Sequence, residues 1–239
     1  MLHNADAFEV LQDLPDNFVD AVITDPPYGT TDLSWDIAPN LDEFWGHIRR
    51  VSKPGANIVV FASQPFTSQL VLSNPDFRYC LVWNKNKCGS PGLANKRPMK
   101  THEDICVFYD KWKTYNPQME VGEPYKRSRK GKPYVGKSNN HGYGLKPRDA
   151  FENKGTRFPK SILNISRDFS AQQQVHPTQK PVPLMEWLVK TYTNLGDIVL
   201  DPFMGSGSTG VACKNLYRSF VGVEQDSNYF ALAGGRLAS

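Results

Sequence analysis

Asp20-Ala21-Val22-Ile23-Thr24-Asp25-Pro26-Pro27-Tyr28-Gly29 is the stretch from which the rest of the chain is read. Ala21 to Thr24 are apolar or β-branched, so residues 20–24 read as a short buried strand. The two prolines end it, because they donate no backbone hydrogen bond and fix φ. An acid, two stiff prolines and an aromatic ring therefore sit at the C-terminal edge of a strand. In an open α/β sheet that edge is where ligands bind. Asp25 supplies a carboxylate, Pro26 a carbonyl and Tyr28 a flat face. Two acceptors beside a stacking surface suit a planar group that carries an NH2.

A lone Asp-Pro-Pro-Tyr also suits a surface turn. A second stretch changes the weight: Asp197-Ile198-Val199-Leu200-Asp201-Pro202-Phe203-Met204-Gly205-Ser206-Gly207-Ser208-Thr209-Gly210. It reads as an apolar strand, a Gly-rich turn and a helix start. Gly205 and Gly207 allow close backbone approach, and a helix from Ser208 presents free N–H groups. The turn lacks the lysine of a nucleotide-triphosphate loop. Ser219 to Val223 read as the next strand, and Glu224 at its tip suits two ribose hydroxyls.

Together the two stretches resemble the amino-methylating DNA methyltransferases that use S-adenosylmethionine. Asp25 to Tyr28 match that family's catalytic motif, and Asp201 to Gly207 match its cofactor loop. The catalytic motif comes first, an order that resembles the β group, whose Asp-Pro-Pro-Tyr members mostly methylate adenine N6. The resemblance implies an α/β, Rossmann-like methyltransferase fold. Its sheet would be mixed, mostly parallel and seven-stranded, with a circularly permuted motif order. Residues 1–110 would form the catalytic half, 111–170 an inserted target-recognition region and 171–239 the cofactor-binding half.

The resemblance also implies site residues. Asp25, Pro26 and Tyr28 would be catalytic, with Asp25 also bordering the cofactor. Asp6, Ala7 and Phe8 would contact the cofactor's adenine. Thr178 and Lys180 belong to His176-Pro177-Thr178-Gln179-Lys180-Pro181, which resembles the segment leading into the cofactor pocket. Asp201, Phe203, Gly205, Ser206, Gly207, Ser208 and Thr209 would come from the loop, with Asp201 on the methionine amino group. Glu224 and Gln225 would take the ribose edge. The resemblance also implies double-stranded DNA as partner, and family habit would add a homodimer and a cognate restriction endonuclease.

Composition sets bounds on this reading. A chain of 239 residues with 39% hydrophobic content suits one globular domain with room for an insertion. Its longest apolar runs fall far short of a membrane span. The start, Met1 to Asp6, meets an acid at once and shows no signal-peptide core. Cys80, Cys88, Cys106 and Cys213 are scattered without metal-ligand spacing, which suggests reduced thiols and a cytoplasmic protein. No Pro-Cys dipeptide occurs, which argues against cytosine-C5 methylation. No metal site is expected, His176 included. The net charge of +4 is uneven: residues 111–170 hold fourteen Lys/Arg and five Asp/Glu, or +9, and the remainder carries −5. A basic segment on an acidic body is the footprint of a polyanion partner.

Taken in order, a first helix buries Leu11 and Leu14, capped by Asn4 or Asp6. A second starts at Asn40 with Glu43 three residues on and stops at Lys53-Pro54-Gly55. Ala56 to Ala62 read as a strand, and a short helix then runs to about Ser73. Further strands cover Phe77 to Trp83 and Ile105 to Tyr109. The long connection from Asn84 to His102 reads as a flap, with Lys85, Lys87, Lys96 and Arg97 toward phosphates. Lys126, Arg127, Arg129, Lys130 and Lys132 form a basic run interleaved with tyrosines, which suits phosphate contact and base stacking. A helix follows Pro181. The last helix, from Ser227, carries Gly234-Gly235 and is expected to fray.

The chemistry follows from the amine. Its lone pair is delocalised, whereas a sulfonium is strongly electrophilic, so positioning and charge stabilisation matter more than a strong base. The same motifs suit cytosine N4. A non-catalytic DNA-binding protein and a methylase acting on RNA or on a protein amide are the other classes the residues leave open.

Overall fold

Val19–Thr24 forms the strand expected of it, and Ala21, Val22 and Ile23 are fully buried. A strand apolar on both faces belongs in the middle of a parallel sheet with helices on either side. The computed structural model describes residues 1–31, 36–86, 92, 94–127, 151–166 and 179–238. The chain divides into two compact units, residues 1–116 with 160–239, and residues 117–159.

The larger unit begins with β1 (Leu2–His3), α1 (Ala7–Asp13), β2 (Val19–Thr24), α2 (Leu41–Val51) and β3 (Ser52–Ala62). α3 (Phe66–Leu72), β4 (Phe77–Asn84) and β5 (His102–Phe108) follow. The smaller unit holds β6 (Glu120–Val121), β7 (Tyr125–Arg127), β8 (Phe151–Asn153) and β9 (Thr156–Arg157). The larger unit resumes with β10 (Ile162–Asn164), α4 (Val182–Tyr192), β11 (Ile198–Asp201), α5 (Ser208–Asn215), β12 (Ser219–Val223) and α6 (Ser227–Ala238).

Eight strands form the main sheet among the described residues, in the order β1-β12-β11-β2-β3-β5-β4-β10. β5 runs antiparallel to both its neighbours, and the other pairings are parallel. The fold is thus the mixed, mostly parallel α/β sheet expected, with one strand more than the seven counted. Neither the two-residue β1 nor β10 is among the strands read from the sequence, and β10 lies inside the expected insertion. Its run is only three residues long, too short for a periodic signal. It is held from outside itself: Val82 N–H donates to Ser161 O at 2.8 Å, and Trp83 Nε1 to Ile165 O at 2.7 Å. The larger unit therefore resumes at residue 160, earlier than the expected boundary of 170, and extends to 116 rather than 110.

Alternation sorts the strand residues between two layers. Val22, Ile58 and Val60 pack in a core with Leu11, Phe44, Trp45 and Phe66 from α1, α2 and α3. Ile23, Val59 and Phe61 pack in a second core with Leu184, Leu188 and Ala212 from α4 and α5. Asp6 caps α1 by accepting from Phe8 N and Glu9 N, and Asn40 caps α2 by accepting from Asp42 N and Glu43 N. Lys53-Pro54-Gly55 does not follow α2 as a loop. It lies in β3, which starts at Ser52 opposite Val19 and shifts register before Asn57 meets Ala21. α6 does not fray at its glycines; it runs to Ala238. Arg236 donates to Ser206 O and to the hydroxyls of Ser206 and Ser208, and Lys214 holds Leu237 O at 2.9 Å. Cys80, Cys106 and Cys213 are free thiols. No helix is long and apolar enough to cross a membrane among the described residues.

The smaller unit is built from two short antiparallel pairs, β6 with β9 and β7 with β8. The Arg157 guanidinium lies 4.6 Å from the centre of the Tyr125 ring and also donates to Glu123 O and Asn153 Oδ1. One arginine thus links three parts of the unit among its described residues. Lys126 pairs with Glu152 at 3.3 Å on an exposed surface, where such a pair contributes little.

Asn57, 4% exposed, ties β3 to the segment after β5 and to the end of α4 by donating to Thr114 O at 2.9 Å and Tyr192 O at 3.0 Å. Asn57→Ala leaves two carbonyls short of a partner and should cost about 1–3 kcal/mol. Urea unfolding followed by circular dichroism measures it.

Candidate active site

β2 and β11 lie side by side, with Leu200 opposite Val22. From β2 the chain moves to β3 on one side, and from β11 to β12 on the other. Strand order reverses between them, which opens a crevice at their carboxyl ends. Both predicted motifs leave the sheet there and line one cavity of about 490 Å³.

On the β2 side, the Tyr28 hydroxyl donates to Asp25 Oδ1 at 2.5 Å. The Tyr28 ring stacks on Phe66, 5.5 Å between centroids and 23° between planes, so Phe66 backs one face and leaves the other for a ligand. Lys180 Nζ donates to Asp25 Oδ2 and lies 3.3 Å from Glu103 Oε2. Glu103 Oε1 in turn accepts from Lys85 Nζ at 3.0 Å. Burial raises the Asp25 pKa, opposed by the Lys180 charge and reinforced by Glu103. Burial and then Asp25 push the Tyr28 hydroxyl well above its usual range, so it remains a donor.

Asp36 fixes the loop that carries Tyr28. Its Oδ1 accepts from the backbone N–H of Tyr28 at 2.7 Å and Gly29 at 2.9 Å. Its Oδ2 accepts from Thr30 N–H at 2.9 Å, Thr31 N–H at 2.7 Å and the Thr31 hydroxyl at 2.7 Å. Burial alone would raise its pKa, but these bonds outweigh it and hold the carboxyl below its usual range.

On the β11 side, Asp201 is 3% exposed. Its Oδ1 accepts from the Thr24 hydroxyl at 2.8 Å and Phe203 N–H at 3.2 Å, and its Oδ2 from the Thr209 hydroxyl at 2.6 Å. Burial pushes its pKa up to about 6 against those hydroxyls. Gly207 takes φ +74°, and a Cβ on it would stand 2.9 Å from the Ala233 Cβ. Glu224 Oε2 accepts from Gly205 N–H at 3.0 Å and Oε1 from Asp226 N–H at 2.8 Å. Burial raises its pKa.

The structure gathers most of the expected site residues. Asp6, Ala7, Phe8, Asp25, Pro26, Tyr28, Lys180, Asp201, Phe203, Gly205, Ser206, Ser208, Thr209, Glu224 and Gln225 all line the cavity. Gly207 does not; its missing side chain lets α6 pack against the loop. Lys180, expected at the cofactor by resemblance, lines the cavity and donates to Asp25 Oδ2. Asp201, expected on the methionine amino group, lines the cavity and also accepts from protein donors at both oxygens, bracing the strand tips. Lys85 is no phosphate contact: its side chain is 13% exposed and paired with Glu103. Lys96 and Arg97 are exposed. Thr178, Lys87, Arg129, Lys130 and Lys132 lie outside the described residues, as does the side chain of Arg127.

Asp36 and Glu103 escape the sequence reading. For Glu103 a signal exists, since an acid beside the apolar run Ile105 to Phe108 of a central strand is out of place. Asp36 has none, because its partners form a nest rather than a period.

The family model described as DNA methylase, of the N6/N4 type, matches residues 19–234. The chain belongs to the DNA methylase family. It is 30% identical to the type II methyltransferase M.HpaI of Haemophilus parainfluenzae, over 98% of this chain and 73% of that one. It is 30% identical to M.BglII of Bacillus subtilis, over 97% of this chain and 67% of that one. The crystal structure of the M1.HpyAVI–SAM complex is similar with a TM-score of 0.65 and 28% identity, covering 100% of this chain and 99% of the other. The chain is thus a DNA methyltransferase of a family that uses S-adenosylmethionine. The cavity suits that group: an open backbone at Gly205, an acid at the β12 tip and half-buried aromatic and apolar walls at Phe8 and Phe203.

Asp36→Ala frees the loop of this methylase without touching its β11 side. The rate of methyl transfer should fall by about 100-fold, the cost of misplacing a reacting group by about 1 Å. Cofactor affinity should change far less. Single-turnover kinetics beside calorimetry reads both.

Proposed function

We propose that this methylase transfers a methyl group to N6 of an adenine flipped out of duplex DNA. The observation that supports it is the convergence of the Asp25–Tyr28 loop and the β11–β12 edge on one cavity. S-adenosylmethionine, once bound, supplies an electrophilic methyl group carried on a sulfonium. Glu224 takes the ribose hydroxyls, and Asp6 to Phe8 face the adenine ring. Ser206 and the backbone at Gly205 border the methionine part.

The extruded base stacks on the free face of Tyr28. Asp25 and the Pro26 carbonyl accept its two N6 hydrogens. An ionised carboxylate has about four acceptor sites, and the Tyr28 hydroxyl and Lys180 use two of those on Asp25. Burial raises the Asp25 pKa, and the Lys180 charge opposes that rise and favours the charged acceptor. Once the nitrogen carries the methyl group it is cationic. The Tyr28 ring then stabilises it by cation–π attraction, and Asp25 is the adjacent acceptor for the proton it releases.

Asp before Pro-Pro-Tyr favours adenine over cytosine N4 through the family resemblance. Nucleoside digestion and mass spectrometry of treated DNA tests it: N6-methyladenine is the expected product, and N4-methylcytosine would replace the reading. Residues 117–159 with their flanks contribute DNA affinity through their positive charge. Because M.HpaI and M.BglII are type II methyltransferases, a cognate endonuclease that cuts the same site, and a homodimer, belong to the same proposal.

Asp25→Ala should lower kcat by roughly 100- to 1,000-fold, the cost of one charge-accepting contact, with cofactor binding nearly intact. Glu224→Gln should instead weaken cofactor binding by roughly 1.5–3 kcal/mol. Calorimetry and steady-state kinetics on the two variants should give opposite patterns.

Serine in place of Lys126, Arg127, Arg129, Lys130 and Lys132 should flatten the salt dependence of DNA binding. The log–log slope should drop by about 0.9 for each phosphate those side chains neutralise. The KM for DNA should rise, and cofactor affinity should stay the same. A salt titration of wild type beside variant reads the slope. Equal slopes would move the DNA contact to the loop at 84–102.

A further inference from the structure

Four side chains of alternating sign, one buried and three partly buried, run from the catalytic loop into the sheet: Asp25, Lys180, Glu103 and Lys85. Their side chains are 22%, 9%, 16% and 13% exposed. Lys180 stands between two carboxylates, and Glu103 stands between two lysines. Glu103 belongs to β5 and Lys85 follows β4; the two strands are paired at Trp83 with Glu103, and Lys85 N–H donates to Thr101 O at 2.8 Å. This half of the row sits on rigid backbone. Lys180 does not, since it precedes α4, whose start has no side-chain cap.

We propose that Glu103, held by Lys85, is a positioning residue for methyl transfer: it shares Lys180 with Asp25 and fixes where the lysine charge meets the catalytic carboxylate. The proposal rests on the reading of Asp25 as the acceptor of the target amine. A lysine with Asp25 as its only anion would close over both carboxylate oxygens and occupy the sites the amine needs. Glu103 draws Lys180 toward Oδ2, leaving acceptor sites on Asp25 for the amine. It also balances the charge, since two acids and two lysines leave no net charge beside a nitrogen that becomes cationic.

The other groups around the row are few. Tyr28 donates to Asp25, and Asp201 repels it across the β2–β11 pair. Cys106 faces Tyr28 from β5, and Lys100, with Asp104 and Arg97 beside it, faces Glu103. Glu103 itself stays ionised: burial would raise its pKa, but Lys180 and Lys85 hold it at about 2. Its negative charge raises the pKa of Asp25 and that of Lys180. Removing it lowers both, so the pH at which Asp25 ionises moves down.

The test is the pH profile of single-turnover methyl transfer to DNA in Glu103→Gln, Glu103→Asp, Lys85→Gln and Lys85→Arg, with Asp25→Ala as reference. In Glu103→Gln the rate should fall by about 10- to 100-fold, the acid limb should move to lower pH, and cofactor affinity should hold. Glu103→Asp keeps the charge, so its acid limb should stay at the wild-type pH while the rate recovers in part. Lys85→Gln should lower the rate, Lys85→Arg should restore it, and the Lys85→Gln/Glu103→Gln pair should be no slower than Glu103→Gln alone. A lower rate with an unmoved acid limb in Glu103→Gln would mean a structural role and overturn the proposal, as would a wild-type rate beside an inactive Asp25→Ala. Should Glu103→Gln not fold, the Lys85 pair decides: equal rates in Lys85→Gln and Lys85→Arg overturn it. An Asp25→Ala variant as active as wild type would instead overturn the underlying reading of the site.

Discussion

The Thr24 hydroxyl donates to Asp201 at 2.8 Å, a buried bond between strand tips 177 residues apart in the chain. β2 and β11 are paired over only two positions, Val199 with Ala21 and Leu200 with Val22. A pairing that short does not by itself fix how two tips diverge. Asp201 does so by holding Thr24 on one side and Thr209, the second residue of α5, on the other. The acid loop of β2 and the Gly-rich loop of β11 then open onto the same crevice. This join and the β2–β11 pairing together bring the two motifs to one cavity, while the strand order runs away on both sides. The carboxylate is costly to bury, as its raised pKa records, and its three donors are what offset that cost.

A second constraint is the desolvation of charge at the site. Asp25 and Lys180 are both drawn out of water, where each alone would neutralise. Neither is left alone. Asp36 shows the same logic in another form, since its five donors belong almost wholly to backbone that would otherwise lack partners. The loop from Tyr28 to Thr31 is thereby folded around an anion rather than around apolar side chains. The geometry of the site is held by polar groups bonded to one another and to the backbone.

The sequence makes legible whatever depends on neighbours along the chain. β2, β11 and β12 announce themselves as apolar runs with turn residues behind them, and the caps at Asp6 and Asn40 follow from residue type. The motif residues find the cavity because each stands at a strand tip. What the sequence hides is partnership through space. Lys180 is four residues beyond His176 in a segment read as a cofactor approach, yet its anion comes from β2. Lys85 opens a basic loop and looks like a phosphate contact, yet Glu103 on the adjacent strand claims it. β10 is three residues whose hydrogen bonds come from β4. The glycines of α6 suggest fraying, but the helix end is held by Arg236, a contact with a loop 30 residues away.

The arrangement around Asp25 also bears on which bases such a site accepts. Its carboxylate and the Pro26 carbonyl are both acceptors, so the group they meet must donate twice. An exocyclic amine does so, and a keto oxygen cannot. Guanine at O6 and thymine at O4 would place a third acceptor against two, leaving buried polar groups unpaired, which excludes an analogue far more strongly than a change of size does. Any exocyclic amine passes this test, whether at adenine N6, cytosine N4 or guanine N2, and the matching family model covers the first two. The choice between them must lie in the fit of the ring, one of two fused cycles and one of a single cycle, against Tyr28 and the walls beside it. Steric fit separates substrates less sharply than hydrogen bonding, so a methylase built on this loop rejects a keto oxygen by chemistry and selects among exocyclic amines by shape.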